Sequence, residues 1–160
     1  MRRSRRGAGL VAVGLAVAVA AGCASETKPM KAGSGDVVAD RQRLMKLNGA
    51  AWSEVQAKAK AGNMEGVAVS AETLALNAQQ IPGLFPPGSM TEKAKAKPEI
   101  WQKWPEFEAA AKKMETESEK LRDAARAKNE QLVQDIVKDY GRVACGGCHT
   151  PFRVPPPRSS

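Results

Sequence analysis

The stretch VACGGCHTPFR, residues 143–153, holds two of the three cysteines and the only histidine of this 160-residue chain. Cys145, Cys148 and His149 stand at positions i, i+3 and i+4. On a helix, these offsets place the three side chains within about 100° of arc. The stretch therefore predicts a final helix that presents two thiols and one imidazole on the same side.

This cluster is typical of covalent haem attachment. Two thiols at this spacing can add across the two vinyl groups at one porphyrin edge, and the neighbouring imidazole can bind the iron. We predict one haem c, with Cys145 and Cys148 as its thioether anchors and His149 as an iron ligand. A thioredoxin-like dithiol requires a strand–helix unit, a structural zinc site requires four ligands, and a structural disulfide does not require His149.

The rest of the chain predicts an all-α fold. Aromatic residues make up 4% of the chain, and β-branched residues nowhere alternate in the manner of strands. Amphipathic spacing predicts helices over residues 36–61, 64–80, 98–128 and from 129 into the CGGCH segment. Pro105 leaves two alternatives, a kinked third helix or a new helix that begins there. Four helices of similar size predict an antiparallel four-helix bundle with the haem near one end.

The first predicted helix supplies a candidate for the second axial ligand. Its apolar stripe contains Val38, Arg41, Met45, Trp52 and Ala59, with Leu44 and Val55 at the edges. Because the chain has one histidine, the remaining soft iron ligand is methionine. Of the six methionines, Met45 is the one on this stripe. It either binds the iron or packs over the haem without bonding to it, and the residues leave both alternatives open.

Residues 1–22 have the pattern of an export signal. A cationic head precedes an apolar run, and the uncharged stretch is only 16 residues long. A membrane-spanning helix needs about 20 residues. We favour general secretion over the twin-arginine route, because the hydrophobic positions expected after the arginines are missing.

Cys23 follows small residues, as at a bacterial lipoprotein processing site. We predict a lipidated amino terminus and a flexible tether over residues 23–35, which would attach the protein to a membrane surface. The alternative is ordinary cleavage nearby, with Cys23 discarded. The cytochrome-type domain is predicted over residues 36–153, followed by a proline-rich tail over residues 154–160.

The formal net charge of +8 overstates how basic the exported protein is. Residues 1–22 contain four of the 25 basic residues and none of the 17 acidic ones. In the remainder, acidic and basic residues are interleaved along the helices. This pattern indicates solvated helix faces and no nucleic-acid partner.

Four stretches together resemble the class II c-type cytochromes, which are cytochrome c' and its low-spin relatives. They are RQRLMKLNGAAW (residues 41–52), LFPPGS (84–89), PEIWQKWPEF (98–107) and CGGCHTPFR (145–153). The resemblance implies a four-helix bundle with His149 as the proximal ligand. It also implies that Arg153 lies near that histidine and Arg41 near the haem propionates.

The family divides at the position of Met45. In the low-spin branch a methionine there binds the iron, whereas in cytochrome c' a nonpolar residue, sometimes itself a methionine, blocks an empty sixth site. The segment LMKLNG resembles the low-spin branch more closely. Family members often dimerise through their first two helices, so a homodimer is an expectation that the residues leave open.

These features predict a periplasmic carrier of single electrons that exchanges them with redox partner proteins. The alternative is a five-coordinate cytochrome c' that binds nitric oxide or carbon monoxide. An enzyme such as a peroxidase is disfavoured, because the only histidine is committed to the iron and no distal base is evident.

Overall fold

A computed structural model describes residues 35–155 of the chain. Its α-helices are α1 (Val37–Lys60), α2 (Met64–Gln80), α3 (Glu99–Gln102), α4 (Trp104–Arg126), α5 (Glu130–Tyr140) and α6 (Gly147–Phe152). A 3₁₀ turn, Pro82–Leu84, follows α2, and a π-helical segment, Gly141–Gly146, joins α5 to α6. Within residues 35–155 the only β-type pairing is an isolated bridge between Ala96 and Arg153. The all-α prediction is confirmed.

The four long helices form the predicted bundle. Helix α2 packs against α1 and α4, and α5 packs against α4 and α1, which closes the ring. The short links at residues 61–63 and 127–129 reverse the chain, so helices joined by them run antiparallel. Gly62 has a φ of +69° at the first of these links, a conformation that glycine adopts without steric cost.

Short polar side chains fix where three of the long helices begin. The Asp36 carboxylate accepts hydrogen bonds from the amides of Val38 and Ala39 at the start of α1. Asn63 and Asn129 cap α2 and α5 in the same way. Each cap satisfies amide groups that the first helical turn leaves unpaired. The starts of these helices therefore follow from local sequence.

Pro105 lies in the first turn of α4 rather than inside a longer helix. Helix α3 ends at Gln102, and α4 begins at Trp104. The first turn of a helix tolerates proline, because an amide at that position has no intrahelical partner. Of the two alternatives for the third predicted helix, a new helix is therefore the correct one.

The buried face of α1 differs from the predicted stripe. Leu44 and Val55, predicted at its edges, are 6% and 0% exposed and lie at its centre. Met45 and Trp52 are only partly buried. The reason is that α1 packs against two neighbours, α2 and α5, so its apolar face is broader than one stripe.

No helix within residues 35–155 is both long enough and apolar enough to cross a membrane. The predicted export signal lies outside the described residues, as does the lipidated tether except for Gly35. Of the predicted tail, the structure describes Val154 and Pro155 only.

Candidate haem site

The CGGCH motif spans the junction between the π-helical segment and α6. The chain is helical through the whole motif, with Cys145 on the π-helical part and Cys148 and His149 on α6. Both thiols are free and partly buried. Burial raises the pKa of Cys145, and burial together with the neighbouring Cys145 raises that of Cys148 to about 11.

A cavity of about 470 Å³ opens beside α6. Its volume falls in the range of about 300–1,000 Å³ that is usual for small-molecule and cofactor sites. Its apolar walls include Ile81, Phe85, Ile100, Phe107 and Phe152. Three of these rings pack in series, with centroids 4.8 Å apart for Phe85 and Phe107 and 5.5 Å apart for Phe107 and Phe152. The cavity therefore offers a planar, apolar cofactor a rigid aromatic surround.

Two predicted iron ligands line this cavity from different elements. Met45 reaches it from α1, and His149 reaches it from α6 beside Cys148. Burial lowers the pKa of His149, and the positive charge of Arg153 lowers it further. Both effects favour the neutral imidazole, which is the form that binds metals.

The chain after His149 is tied to the segment before α3. The Lys97 amide donates to the carbonyl oxygen of Phe152 at 2.9 Å, and the Val154 amide donates to that of Lys95 at 2.8 Å. The ammonium of Lys97 also donates to the carbonyl oxygen of Thr150 at 3.2 Å. These bonds hold α6 in place from outside the bundle. They fix the direction from which His149 enters the cavity.

Arg41 is buried, with 6% of its surface exposed, and it connects α1 to the loop after α2. Its Nε donates to the carbonyl oxygen of Leu84, and its Nη atoms donate to the carbonyl and hydroxyl oxygens of Ser89. The guanidinium lies 4.1 Å from the ring centroid of Phe85. Burial lowers the pKa of Arg41, and the nearby Asp36 partly opposes this shift. Arg41 therefore holds residues 84–89 in place as one wall of the cavity.

The structure brings most of the predicted site residues to one place. Arg41, Met45, Cys148, His149 and Arg153 all line the cavity. Cys145 is not among the lining residues, and it packs against the hydrophobic core. The residues present therefore fit a haem that is anchored on α6 and faces α1.

Sequence reasoning missed two other kinds of lining residue. Phe85 lies within the quoted LFPPGS segment, but nothing local shows that its ring faces the cavity. Lys46 and Lys95 also line the cavity, and the sequence singled out neither of them. The LFPPGS segment could have drawn attention to Phe85. No sequence pattern could have done so for the two lysines, because they come close to each other only when distant segments pack together.

Comparison with known proteins agrees with this geometry. The family model for cytochrome c' matches residues 36–153. The chain belongs to the cytochrome c' family. This cytochrome is 30% identical over 120 residues to cytochrome c-556 of Agrobacterium tumefaciens strain II Chrys, a match that covers 73% of this chain and 96% of the relative. It is 32% identical over 121 residues to cytochrome c-556 of Agrobacterium fabrum, covering 73% and 80% of the two chains.

Solved structures show the same fold. Cytochrome c' from Thermochromatium tepidum superposes with a TM-score of 0.67 at 23% identity, covering 74% of this chain and 95% of that one. Cytochrome c' from Rubrivivax gelatinosus superposes with a TM-score of 0.64 at 26% identity and the same coverage. Members of this family carry covalently attached haem c, and Cys145 and Cys148 are placed for the CxxCH motif. The prediction of haem c is confirmed.

Proposed function

We propose that this cytochrome carries single electrons in the periplasm and that its haem iron is held between His149 and Met45. The supporting observation is that Met45 on α1 and His149 on α6 line the same cavity. The resemblance of LMKLNG to the low-spin branch also supports this ligand set, and the similarity to two cytochromes c-556 supports electron transfer. This assignment makes Met45 a ligand rather than a packing residue.

The protein's own residues would do four things for the cofactor. Cys145 and Cys148 would anchor it, and His149 and Met45 would bind its metal. When bound, the haem supplies a one-electron couple at iron, whose potential a thioether ligand raises. The aromatic walls exclude water, and the hydrogen bonds at Arg41 and Lys97 hold two walls still. A site with fixed walls reorganises little between two charge states, which favours electron transfer.

We infer that the protein is not an enzyme. A peroxidase needs a base close to the bound substrate to accept a proton. No aspartate or glutamate is among the described residues that line the cavity. The only histidine of the chain is committed as a ligand. The described lining therefore offers no carboxylate as the base.

The cellular setting of the proposal comes from residues 1–35. An export signal followed by Cys23 supports a periplasmic protein that is attached to a membrane through lipid. Such an anchor would raise the effective concentration of the cytochrome near membrane-bound redox partners. A homodimer through α1 and α2 remains a prediction, which the sedimentation mass of the holoprotein would test.

The visible and near-infrared absorption spectrum of the holoprotein tests the ligand set. We expect low-spin bands together with a methionine–iron band near the red end, and we expect Met45→Ala to convert the spectrum to a high-spin one. Met90→Ala is the matched control, because Met90 is 47% exposed and is not among the lining residues. A wild-type spectrum that is already high-spin and shifts under carbon monoxide would instead support the five-coordinate alternative.

A further inference from the structure

We propose that the mouth of the haem cavity is a cationic docking surface for an acidic face of a redox partner protein. The proposal rests on the electron-transfer function proposed above. It specifies which surface meets the partner and what charge the partner presents.

Four cationic side chains line the cavity, and no carboxylate does. Arg41 and Lys46 come from α1, Lys95 from the segment before α3, and Arg153 from the chain after α6. Three separate elements therefore contribute positive charge to one opening. A single charged helix face arises wherever charged residues are interleaved along one helix. Positive charge that three elements bring to one opening depends on how those elements pack together.

The positive charge at this opening is poorly neutralised by the protein itself. Lys46, Lys95 and Arg153 form no ion pair within 4 Å with any residue of the described range. Arg41 donates its hydrogen bonds to uncharged oxygens of Leu84 and Ser89. The negative charge of Asp36 also acts on Arg41.

Elsewhere in the described chain, nine of the fourteen basic side chains form an ion pair. Lys112 and Lys113 each contact a glutamate one turn away on α4, and Arg122 bridges α4 to Glu72 of α2. Residues 35–155 carry eighteen basic and sixteen acidic side chains, so this part of the protein is close to neutral. Four of the nine basic side chains without an ion pair in the described range therefore meet at this one opening, which makes the charge distribution asymmetric.

An asymmetric charge of this kind steers a partner of opposite sign toward one orientation. Complementary potentials raise association rates by factors of 10 to 1,000, and the effect falls as salt rises. A partner attracted to this opening would lie over the cavity that contains both proposed iron ligands. Attachment to an anionic lipid surface does not require the cationic residues to lie at the cavity that contains the iron ligands. Their position there is the reason why we favour a protein partner.

The test measures how fast the reduced holoprotein is oxidised by two small reagents of opposite charge. The anionic reagent is hexacyanoferrate(III), and the cationic reagent is tris(phenanthroline)cobalt(III). For the wild type, we expect the rate with the anion to fall about tenfold between low and high salt and the rate with the cation to rise. Lys46→Glu/Lys95→Glu should reduce the fall with the anion to about twofold or less.

The control variant Lys60→Glu/Lys138→Glu has the same net charge. Both of these lysines are exposed, lie outside the cavity lining and form no ion pair in the described range. We expect its salt dependence to match that of the wild type. Equal salt dependence in the two double variants would overturn the proposal, because net charge alone would then explain the result.

Two further measurements separate a protein partner from a lipid surface, both in a Cys23→Ser background without acyl chains. Poly-L-glutamate, as a model of an acidic protein face, should slow oxidation of the parent by hexacyanoferrate but not that of Lys46→Glu/Lys95→Glu. Cosedimentation with phosphatidylglycerol vesicles should be weak for both. Strong vesicle binding that depends on Lys46 and Lys95, without an effect of poly-L-glutamate, would assign this surface to lipid and overturn the proposal.

Failure of the underlying function gives a different result. If the protein were not an electron carrier, oxidation would be slow with both reagents at every salt concentration. Opposite salt trends of the two slow reactions would still support the cationic surface. Fast oxidation with the same salt trend for both reagents would contradict the docking surface but would still support electron transfer.

Discussion

Arg41 Nε donates a hydrogen bond of 2.5 Å to the carbonyl oxygen of Leu84, which lies 43 residues further along the chain. The same guanidinium bonds to Ser89 and covers the ring of Phe85. One side chain of α1 thus holds the loop that forms a wall of the haem cavity. The resemblance to known cytochromes implied a position near the propionates for Arg41, and the structure adds this second role.

Loss of the Arg41 contacts should destabilise the folded state. Arg41→Leu removes three charge-assisted hydrogen bonds and leaves partly buried loop oxygens without these donors, so we expect the free energy of unfolding to fall by about 2–4 kcal/mol. Arg41→Lys should recover little of this, because an ammonium cannot reproduce the planar fork of donors. Denaturant unfolding of the holoprotein measures both values.

The control for Arg41 is Arg142→Leu. Arg142 is exposed and forms only a surface pair with Asp139, so its loss should change the stability by less than about 1 kcal/mol. Equal losses for Arg41→Leu and Arg142→Leu would contradict the proposed role of Arg41 in holding the loop.

A buried hydroxyl pair links α4 to α5 and should show energetic coupling. Ser118 Oγ donates to the carbonyl oxygen of Met114 at 2.7 Å, so the Tyr140 hydroxyl, 2.5 Å away, is the donor to Ser118. Tyr140→Phe should cost about 1 kcal/mol, and Ser118→Ala about 1–3 kcal/mol, because it leaves a buried hydroxyl without its acceptor. The double variant should cost less than the sum. Additive losses would show that the two hydroxyls do not interact.

The stability of the protein should fall at high pH through Tyr140, the only tyrosine of the chain. Burial raises the pKa of Tyr140, and the hydrogen bond with Ser118 opposes this only in part. Because the folded pKa lies above the unfolded value of about 10, the stabilisation is complete below that pH and is lost as pH rises beyond it. Ultraviolet titration should show tyrosinate only as the protein unfolds, and a tyrosinate signal near pH 10 in the folded protein would contradict the burial effect.

Covalent attachment should depend on both thiols of the haem motif. Wild-type haem should stay with the protein during extraction by acidified organic solvent, whereas the Cys145→Ala/Cys148→Ala variant should release all of it or contain none. Intact mass provides the second measurement, because each wild-type chain should carry the mass of one porphyrin. Cys23→Ser is the control and should retain the haem. A double variant that keeps the added mass would show that the haem is not attached through these two cysteines.

Cys23→Ser should also move the cytochrome from the membrane fraction to the soluble periplasmic fraction. The physical reason is that the acyl chains, rather than the folded domain, supply the membrane affinity. Fractionation of cells that express each form provides the measurement. A wild-type protein that is already soluble would exclude the lipid anchor and leave ordinary signal cleavage as the alternative.

Helix boundaries were predictable because the signals that set them are local. Asp36, Asn63 and Asn129 cap helices through amides two or three residues away, whereas Pro105 left a kinked helix and a new helix as alternatives between which the structure decided. The buried face of α1 was less predictable. Leu44 and Val55 lie at the centre of the buried face because two neighbouring helices pack against α1. The spacing of apolar residues along α1 does not show which helices will pack against it.

The haem motif could be read from the chain alone, since Cys145, Cys148 and His149 are close in sequence and their chemistry is that of the side chains themselves. The π-helical segment before α6, the loop contacts of Arg41 and the meeting of Lys46 with Lys95 at one cavity could not. These features depend on which distant segments pack together. That choice is made by the burial of apolar surface across the whole bundle, and no local pattern records it.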